Sequence, residues 1–195
     1  MDALEALRTR RTFPLPKLGE PGPDDALLAR WLEAAVAAPD HGKLVPFRFL
    51  VVRGEGRRRL GELFERALLA ERRDPPAAER EKMRTNPLRV PLVLIAWAAV
   101  RPDHPKIPEI EQIEAVAAAV ENLLVAIHAS GFGAKWATGF PAYSPTVREG
   151  LGLPPSARIV AIVYVGTPRL GQEIPPRPGP GEIARLWPED RPFPG

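Results

Sequence analysis

Apolar residues recur at three- and four-residue steps along one long stretch of the chain, residues 109–129. They are Ile110, Ile113, Val116, Val120, Leu123, Leu124 and Ile127, with many alanines between them. This period predicts a helix that is apolar over most of its circumference and packs against a sheet, with a second subunit as a further partner. We expect the helix to end at Ser130-Gly131, because glycine readily adopts the left-handed cap conformation.

The residues that follow this helix are small and include one tryptophan. Residues 131–139 read Gly-Phe-Gly-Ala-Lys-Trp-Ala-Thr-Gly, which predicts a turn, a short extended piece and another turn. Two interpretations stay open for this segment. It is either one wall of a ligand site or an ordinary connection between a helix and a strand.

Other apolar runs predict strands, and amphipathic runs predict helices between them. The predicted strands are residues 47–53, 91–100 and 158–166, and the second is apolar throughout, as in a strand buried on both faces. The predicted helices are residues 2–11, 24–38, 54–72, 77–84 and 146–150. We expect Asp2 and Asp24 to cap the first two, with Leu4 and Leu7 facing inward. The pattern predicts an α/β-type, three-layer fold.

The length of 195 residues fits one domain with a substantial core. We place this domain at residues 1–170. Residues 171–195 hold many of the 25 prolines, cannot pack as an independent core, and are predicted to wrap another surface as an extension.

Composition excludes several classes of function. The chain has no cysteine, which rules out disulfides and thiolate chemistry, and His41, His104 and His128 lack metal-ligand spacing, so we predict no metal. The net charge of +3 is interleaved with acids and aromatic content is 7%, so we predict no nucleic-acid partner. No apolar run is long enough to span a membrane and the N-terminus lacks a signal-peptide core, which predicts a cytoplasmic protein.

Candidate binding residues lie at the end of the first helix and in a later loop. Arg10, Arg11 and Thr12 either complement the helix dipole or form a phosphate clamp of two guanidinium groups and a hydroxyl. The loop at residues 38–47 carries His41 and Lys43 directly before a strand, where ligand-binding groups are common.

Familiar nucleotide and hydrolase motifs are missing. The chain contains no GxGxxG after a strand, no GxxxxGK[ST] and no GxSxG. The sequence therefore gives little support for a Rossmann dehydrogenase, a P-loop enzyme or an α/β-hydrolase.

Four segments in order resemble the FMN-dependent nitroreductase family, most closely its compact YdjA-like branch. They are a first helix ending in Arg-Arg-Thr, an Ala-Pro-x-x-x-x-x-x-Pro-aromatic segment, a central helix running into Gly-Phe-Gly-x-x-Trp-x-Thr-Gly, and a late strand ending in Gly-Thr-Pro. The Ala-Pro-Asp-His sequence is the feature that points to that branch. The resemblance runs from Met1 to about Leu170.

The resemblance implies a mixed, mostly antiparallel sheet flanked by helices, in an intertwined homodimer with FMN in each of two interface pockets. It implies the following FMN-binding residues: Arg10, Arg11 and Thr12 at the phosphate; Pro39, Asp40, His41 and Lys43 from the other subunit; Trp136, Ala137, Thr138 and Gly139 along the flavin; and Arg169 near the phosphate. No side chain is implied as catalytic, because the flavin carries the chemistry. Lys43, Val45 and Phe47 depart from the common family pattern, and Ala137 is small where the compact branch has a larger basic residue.

The activity implied is reduction of a small nitro-aromatic or quinone-like acceptor by NADH or NADPH, through bound FMN and with ping-pong kinetics. Two alternatives stay open. The protein could store or sense flavin with little turnover, or it could carry out a different flavin chemistry within the same family.

Overall fold

The computed structural model describes residues 1–188, and residues 189–195 lie outside the described part. The helices are α1 Ala3–Thr9, α2 Asp25–Val36, α3 Glu55–Glu71, α4 Ala77–Thr85, α5 Glu109–Ala129, α6 Gly139–Tyr143, α7 Pro145–Gly150 and α8 Pro180–Ile183. The strands are β1 Leu18–Gly19, β2 Phe47–Arg53, β3 Leu92–Ala99, β4 Gly133–Ala137 and β5 Ala157–Pro168. The extension predicted at residues 171–195 therefore falls partly outside the described residues.

Strand β5 is the centre of the sheet. It pairs antiparallel with β3 along one edge, and with β4 and then β1 along the other, while β2 pairs with the far side of β3. All of these ladders are antiparallel, and an isolated parallel bridge joins Thr12 to Ala134. The predicted mixed and mostly antiparallel sheet is confirmed.

Both faces of the sheet are covered, because the side chains of β3 point alternately to its two sides. Leu92, Leu94 and Ala96 belong to a core shared with α2 and α5. Val93 and Ile95 belong to a second core shared with α3 and α7. The uninterrupted apolar run is thus a strand buried on both faces, and the three-layer prediction is confirmed.

Helix α5 packs in the first core, with Val116, Val120, Leu123 and Ile127 fully buried. A polar side chain, Gln112, is buried beside them and is satisfied by the loop that precedes the helix. Its Nε2 donates to the carbonyl oxygens of Arg101 and Ile107, both at 3.1 Å, and its Oε1 accepts from the Arg101 amide at 2.8 Å. Ile110, in the first turn, is 57% exposed in the single chain, and the predicted packing against a second subunit stays a prediction.

The end of α5 fixes the start of β4. Gly131 has φ +83°, and the amide of Phe132 donates to Ile127 O at 3.1 Å, which closes the helix as predicted. Trp31 of α2 holds this turn from the side: its Nε1 donates to Ser130 Oγ at 3.0 Å and its ring meets Phe132 edge-on at 5.2 Å. The turn after α5 is therefore a fixed point from which β4 leaves.

Helix α1 differs from its prediction. Asp2 caps it as expected, accepting from the Glu5 amide at 2.9 Å. Leu4 and Leu7 do not face inward, however, and are 72% and 52% exposed. The helix is only seven residues long and buries Ala6, so its leucines point away from the fold.

Three short elements, β1, α6 and α8, were not predicted. The segment containing β1 is rich in proline and glycine, and a two-residue strand has no readable period. Helix α6 begins at Gly139 and contains Pro141, both poor helix formers. Across the part of the chain that the structure describes, no helix combines the length and the apolar character that crossing a membrane requires.

Candidate functional site

A cavity of about 500 Å³ lies where the C-terminal ends of α1, α5 and β5 meet. Its wall combines apolar and charged groups, and the principal lining residues are Glu5, Thr9, Arg11, Phe13, His128, Phe132, Arg169, Leu170, Gly171, Gln172 and Ile174. Residues far apart in sequence therefore meet here, among them Arg11 and Arg169, which were both predicted to bind phosphate.

Arg11 brings to this cavity a guanidinium group that is only partly hydrogen-bonded. Its Nη1 donates to Thr9 O at 3.0 Å, and its Cζ lies 5.4 Å from the centre of the Phe13 ring. Its Nε is buried and has no hydrogen-bond partner among the described residues. A buried donor without a partner costs roughly 1–3 kcal/mol, and the side chain that carries this donor is part of the cavity lining.

Arg169 reaches the same cavity because Gly19 leaves room for it. A Cβ atom on residue 19 would stand 1.9 Å from Arg169 Nε, so any other residue there would displace the guanidinium. The Arg169 amide donates to Lys17 O at 2.8 Å, which fixes the start of the side chain. Arg11 and Arg169 are thus brought together by α1, β1 and the end of β5.

Arg10 and Thr12 are placed differently from Arg11. The Nε of Arg10 donates to Glu121 Oε1 on α5 at 2.9 Å, and Arg10 does not line the cavity. Thr12 is exposed and forms the parallel bridge to Ala134. The proposed roles of these two residues at a phosphate stay predictions.

His128 is a cavity residue that the sequence reasoning did not select. The hydroxyl of Thr9 donates to Glu5 O at 2.6 Å, so at the 2.9 Å contact with His128 Nε2 the neutral ring donates to Thr9 Oγ1. Burial, followed by the charges of Arg11 and Arg10, holds the pKa of His128 below its ordinary value. The imidazole is therefore a neutral group beside two guanidiniums. Its position in the last turn of α5 was the available signal.

A second, smaller cavity of about 170 Å³ lies at the other end of β4. Its lining includes Ala137, Thr138 and Gly139, three of the predicted flavin-contacting residues, together with Leu15, Lys82, Met83, Asn86, Lys135, Phe140 and Tyr164. Burial raises the pKa of Tyr164 to about 12, so its phenol stays protonated at neutral pH. Lys82, Lys135 and Tyr164 were not selected from the sequence, because they come from three separate elements.

The two cavities lie at opposite ends of one strand. Phe132, just before β4, lines the larger cavity, and Ala137 at its end lines the smaller one. The strand rises about 3.3 Å per residue, so its length is about 13 Å. One edge of β4 pairs with β5, and on the other edge the bridge from Thr12 to Ala134 is the pairing seen within residues 1–188. Within residues 1–188, no strand pairs with the backbone of residues 135–137 on that edge.

Trp136 faces away from the smaller cavity. Its ring packs against the core formed with α5, and its Nε1 donates to Val160 O at 3.1 Å. A role for Trp136 along a flavin therefore has to come through its backbone or through the edge of its ring. This role stays a prediction.

The loop that carries Pro39, Asp40, His41 and Lys43 lies elsewhere in the chain. Asp40 Oδ2 accepts from the Val45 amide at 2.7 Å. In the stretch that this bond closes, Gly42, Lys43 and Val45 have positive φ angles. His41 Nδ1 lies 2.5 Å from Glu111 Oε2, in the first turn of α5.

The loop is therefore remote from the larger cavity of its own chain. Glu111 and His128 stand at opposite ends of α5, about 25 Å apart at 1.5 Å per residue. Non-glycine residues at positive φ are uncommon, and strain of this kind is often found at binding sites. The prediction that these residues reach a flavin from another subunit stays a prediction.

A third cavity, of about 560 Å³, also has Thr138 in its lining. The names larger and smaller cavity are kept for the two at the ends of β4. The third cavity is lined by Arg148, Arg158 and Tyr143, and Arg148 Nε is buried without a hydrogen-bond partner among the described residues. Arg158 forms an ion pair with Glu109, with 2.7 Å between Arg158 Nε and Glu109 Oε1. No group of three or more His, Asp or Glu side chains within residues 1–188 could hold a metal ion.

Known proteins resemble this chain in sequence and in fold. A model described as the Nitroreductase family matches residues 9–167. The protein named "Putative NAD(P)H nitroreductase YdjA" of Escherichia coli (strain K12) is 38% identical over 170 residues, which is 87% of this chain and 90% of that protein.

Two solved structures show the same fold. The nitroreductase-like family protein from Bacillus cereus superimposes with a TM-score of 0.81 at 22% identity, and covers 97% of both chains. The FMN and NADPH-dependent nitroreductase NfnB from sphigopyxis sp. strain HMH superimposes with a TM-score of 0.73 at 20% identity, over 95% of this chain and 99% of that chain. Because the family model spans most of the sequence and a relative shares 38% of its residues over 87% of it, the chain belongs to the nitroreductase family of oxidoreductases.

Proposed function

We propose that this chain uses FMN to transfer electrons from NADH or NADPH to a small nitro-aromatic or quinone-like acceptor. The observation that carries the proposal is the larger cavity, where Arg11 and Arg169 meet and Arg11 Nε is buried without a partner. The phosphate group of FMN offers about two negative charges and three acceptor oxygens, which suits two guanidiniums. A relative named as an NAD(P)H nitroreductase and a structural neighbour named as FMN- and NADPH-dependent support the choice of cofactor and donor.

The remainder of the cofactor would lie along the open edge of β4. The phosphate end would occupy the larger cavity, and the ring end would approach Thr138 and Gly139 near the smaller one. When bound, FMN supplies the redox chemistry, accepting a hydride from the donor and passing electrons to the acceptor in separate half-reactions. Ping-pong kinetics would follow if donor and acceptor use the same space in turn.

The residues of the chain would bind and polarise the cofactor. Backbone amides between Trp136 and Gly139 would hydrogen-bond the edge of the flavin ring. Lys82 and Lys135 would place positive charge beside it, which favours an electron-rich ring. Tyr164 would remain a neutral group, since burial raises its pKa to about 12.

We further propose a homodimer that completes the site. The resemblance assigns the loop of Pro39, Asp40, His41 and Lys43 to the flavin of a second copy. In its own chain the loop contacts Glu111, about 25 Å along α5 from His128 in the larger cavity. The exposed Leu4 and Leu7 beside the larger cavity offer apolar surface that such a partner would cover. Sedimentation of the purified protein tests this arrangement, and a monomer with bound FMN would contradict it.

The first experiment is the visible absorption spectrum of the purified protein before and after anaerobic addition of NADH or NADPH. Flavin bands that bleach with one nucleotide support the reductase and identify its donor. Bands that persist with both nucleotides favour a flavin-storage role with little turnover. A colourless protein that binds no added FMN contradicts the proposal.

Once reduction is established, product analysis separates the remaining chemistries. The reductase requires a nitro-aromatic or quinone acceptor to be consumed in step with NAD(P)H. Breakdown of the flavin itself under oxygen, without acceptor turnover, would instead assign a different flavin chemistry within the family.

A further inference from the structure

The wall of the larger cavity continues beyond the part of the chain that the family model matches. That match ends at residue 167, yet Leu170, Gly171, Gln172 and Ile174 line the cavity together with Arg11 and Arg169. We propose that residues 170–174 form part of the phosphate-binding site and that Lys17 is the positioning residue that holds them there. This inference rests on the proposed FMN function and adds residues to that same site.

Lys17 holds the chain at Arg169 and just after it. Its carbonyl oxygen accepts from the Arg169 amide at 2.8 Å, and its Nζ donates to Gly171 O at 3.0 Å and to Gln172 Oε1 at 2.8 Å. Lys17 itself is outside the lining of the cavity. It therefore acts on a ligand there only through the residues that it positions.

The bond from Lys17 orients a peptide group. In a trans peptide the carbonyl oxygen and the following N–H point in opposite directions. Because Gly171 O is held towards Lys17, the Gln172 amide points away from Lys17, and Gln172 itself belongs to the cavity lining. Within residues 1–188 this amide donates to no other group, and a buried or half-buried N–H normally finds an acceptor.

A second contact ties the same segment to the end of α1. Arg177 Nη2 donates to Arg10 O at 3.3 Å, so the chain returns across the start of the Arg10-Arg11-Thr12 segment. The charges that face the cavity are the guanidiniums of Arg11 and Arg169, the exposed carboxylate of Glu5 and the N-terminal Met1. Positive charge predominates, which suits a phosphate more than a neutral ligand.

The test compares two flavins that differ only in the phosphate. FMN and riboflavin would be titrated into flavin-free full-length protein, with flavin fluorescence as the readout, for wild type, Lys17→Met and the control Arg30→Met. The control removes one positive charge from the exposed face of α2, away from the cavity. Melting temperatures of all three proteins would be compared in parallel.

We expect Lys17→Met to raise the FMN dissociation constant about tenfold and to change riboflavin binding less than about twofold, with the control unchanged for both. Arg177→Met, which leaves β1 intact, should weaken FMN binding by roughly threefold and should again affect FMN more than riboflavin. Equal losses for both flavins, or unchanged FMN affinity in Lys17→Met, would overturn the inference. A wild-type protein that binds neither flavin would contradict the proposed FMN function itself. The outcomes above, in which wild type binds FMN, would contradict only the inference about Lys17.

Discussion

The two ends of α5 both carry clustered charges, but they use them differently. At the N-terminal end, His41 lies against Glu111 and Arg158 pairs with Glu109, so each basic side chain has its own carboxylate. At the C-terminal end Arg10 pairs with Glu121, whereas Arg11 forms no ion pair within residues 1–188. Helix dipoles favour carboxylates at the first end and cations at the second.

This difference in ion pairing, rather than in the number of charges, supports the binding site that we propose at the C-terminal end. Arg10, Arg11 and Arg169 all lie near the C-terminal end, yet the two that line the cavity are Arg11 and Arg169. Cations that already hold a carboxylate have little left to offer a ligand, and their ion pairs are mostly exposed and weak. The C-terminal end is therefore where an external anion gains most.

The largest expected effect comes from removing the two cavity guanidiniums together. The double variant Arg11→Gln/Arg169→Gln should lose at least about 100-fold in FMN affinity, since each charge-assisted bond contributes about 1.5–3 kcal/mol. Arg10→Gln should lose less than about fivefold, because Arg10 is occupied by Glu121. Fluorescence titration measures both.

The matched control for this experiment is Arg158→Gln at the opposite end of α5, where FMN affinity should not change. If Arg10→Gln and the double variant lost FMN affinity equally, this would contradict the assignment of Arg11 and Arg169, but not Arg10, to the phosphate. Normal FMN affinity in an Arg10→Ala/Arg11→Ala double variant would exclude the phosphate clamp at the end of α1 altogether.

A smaller effect is expected from the pH dependence of stability at His128. Because the pKa of His128 is lowered in the folded protein, the unfolded chain binds a proton more readily, and stability is lost as the pH falls through the ordinary pKa of about 6.5. His128→Gln should therefore lose less melting temperature than wild type between about pH 7.5 and pH 5.5. Calorimetry without added flavin measures this, and parallel curves for the two proteins would contradict it.

The smallest effect is expected at the N-terminal end of α5. Glu109→Gln removes the partner of Arg158, and exposed pairs of this kind contribute about 0.2–1 kcal/mol. Urea unfolding should show a loss within that range, while FMN affinity should change less than about twofold. A loss of FMN affinity above about tenfold would mean that the two ends are coupled rather than separate.

The strongly patterned parts of the fold were readable from the sequence. The limits of β2 agree with prediction, the burial of β3 on both faces follows from its unbroken apolar run, and Gly131 ends α5 where expected. Hydrophobic period and glycine caps are local signals with a direct physical cause. They fixed the number of layers and the central position of α5.

The misplaced features depend on contacts between distant segments. Leu4 and Leu7 fit an inward face by period, but α1 is too short to bury more than Ala6. Adjacent Arg10 and Arg11 look equivalent in sequence, and Glu121, more than a hundred residues away, separates their roles. The contribution of residues 170–174 depends on Lys17, which no motif marks.

The central position of β5 has a consequence for how the chain is made. Its partners β1, β3 and β4 all precede it, and Leu18 pairs with Pro168 about 150 residues later. Contacts so distant in sequence close slowly, and a chain leaves the ribosome from its N-terminus. Until the last part of the domain emerges, β3 therefore has one edge without its partner strand. We expect the nascent protein to depend on chaperones in this interval, although the finished sheet has every central strand paired.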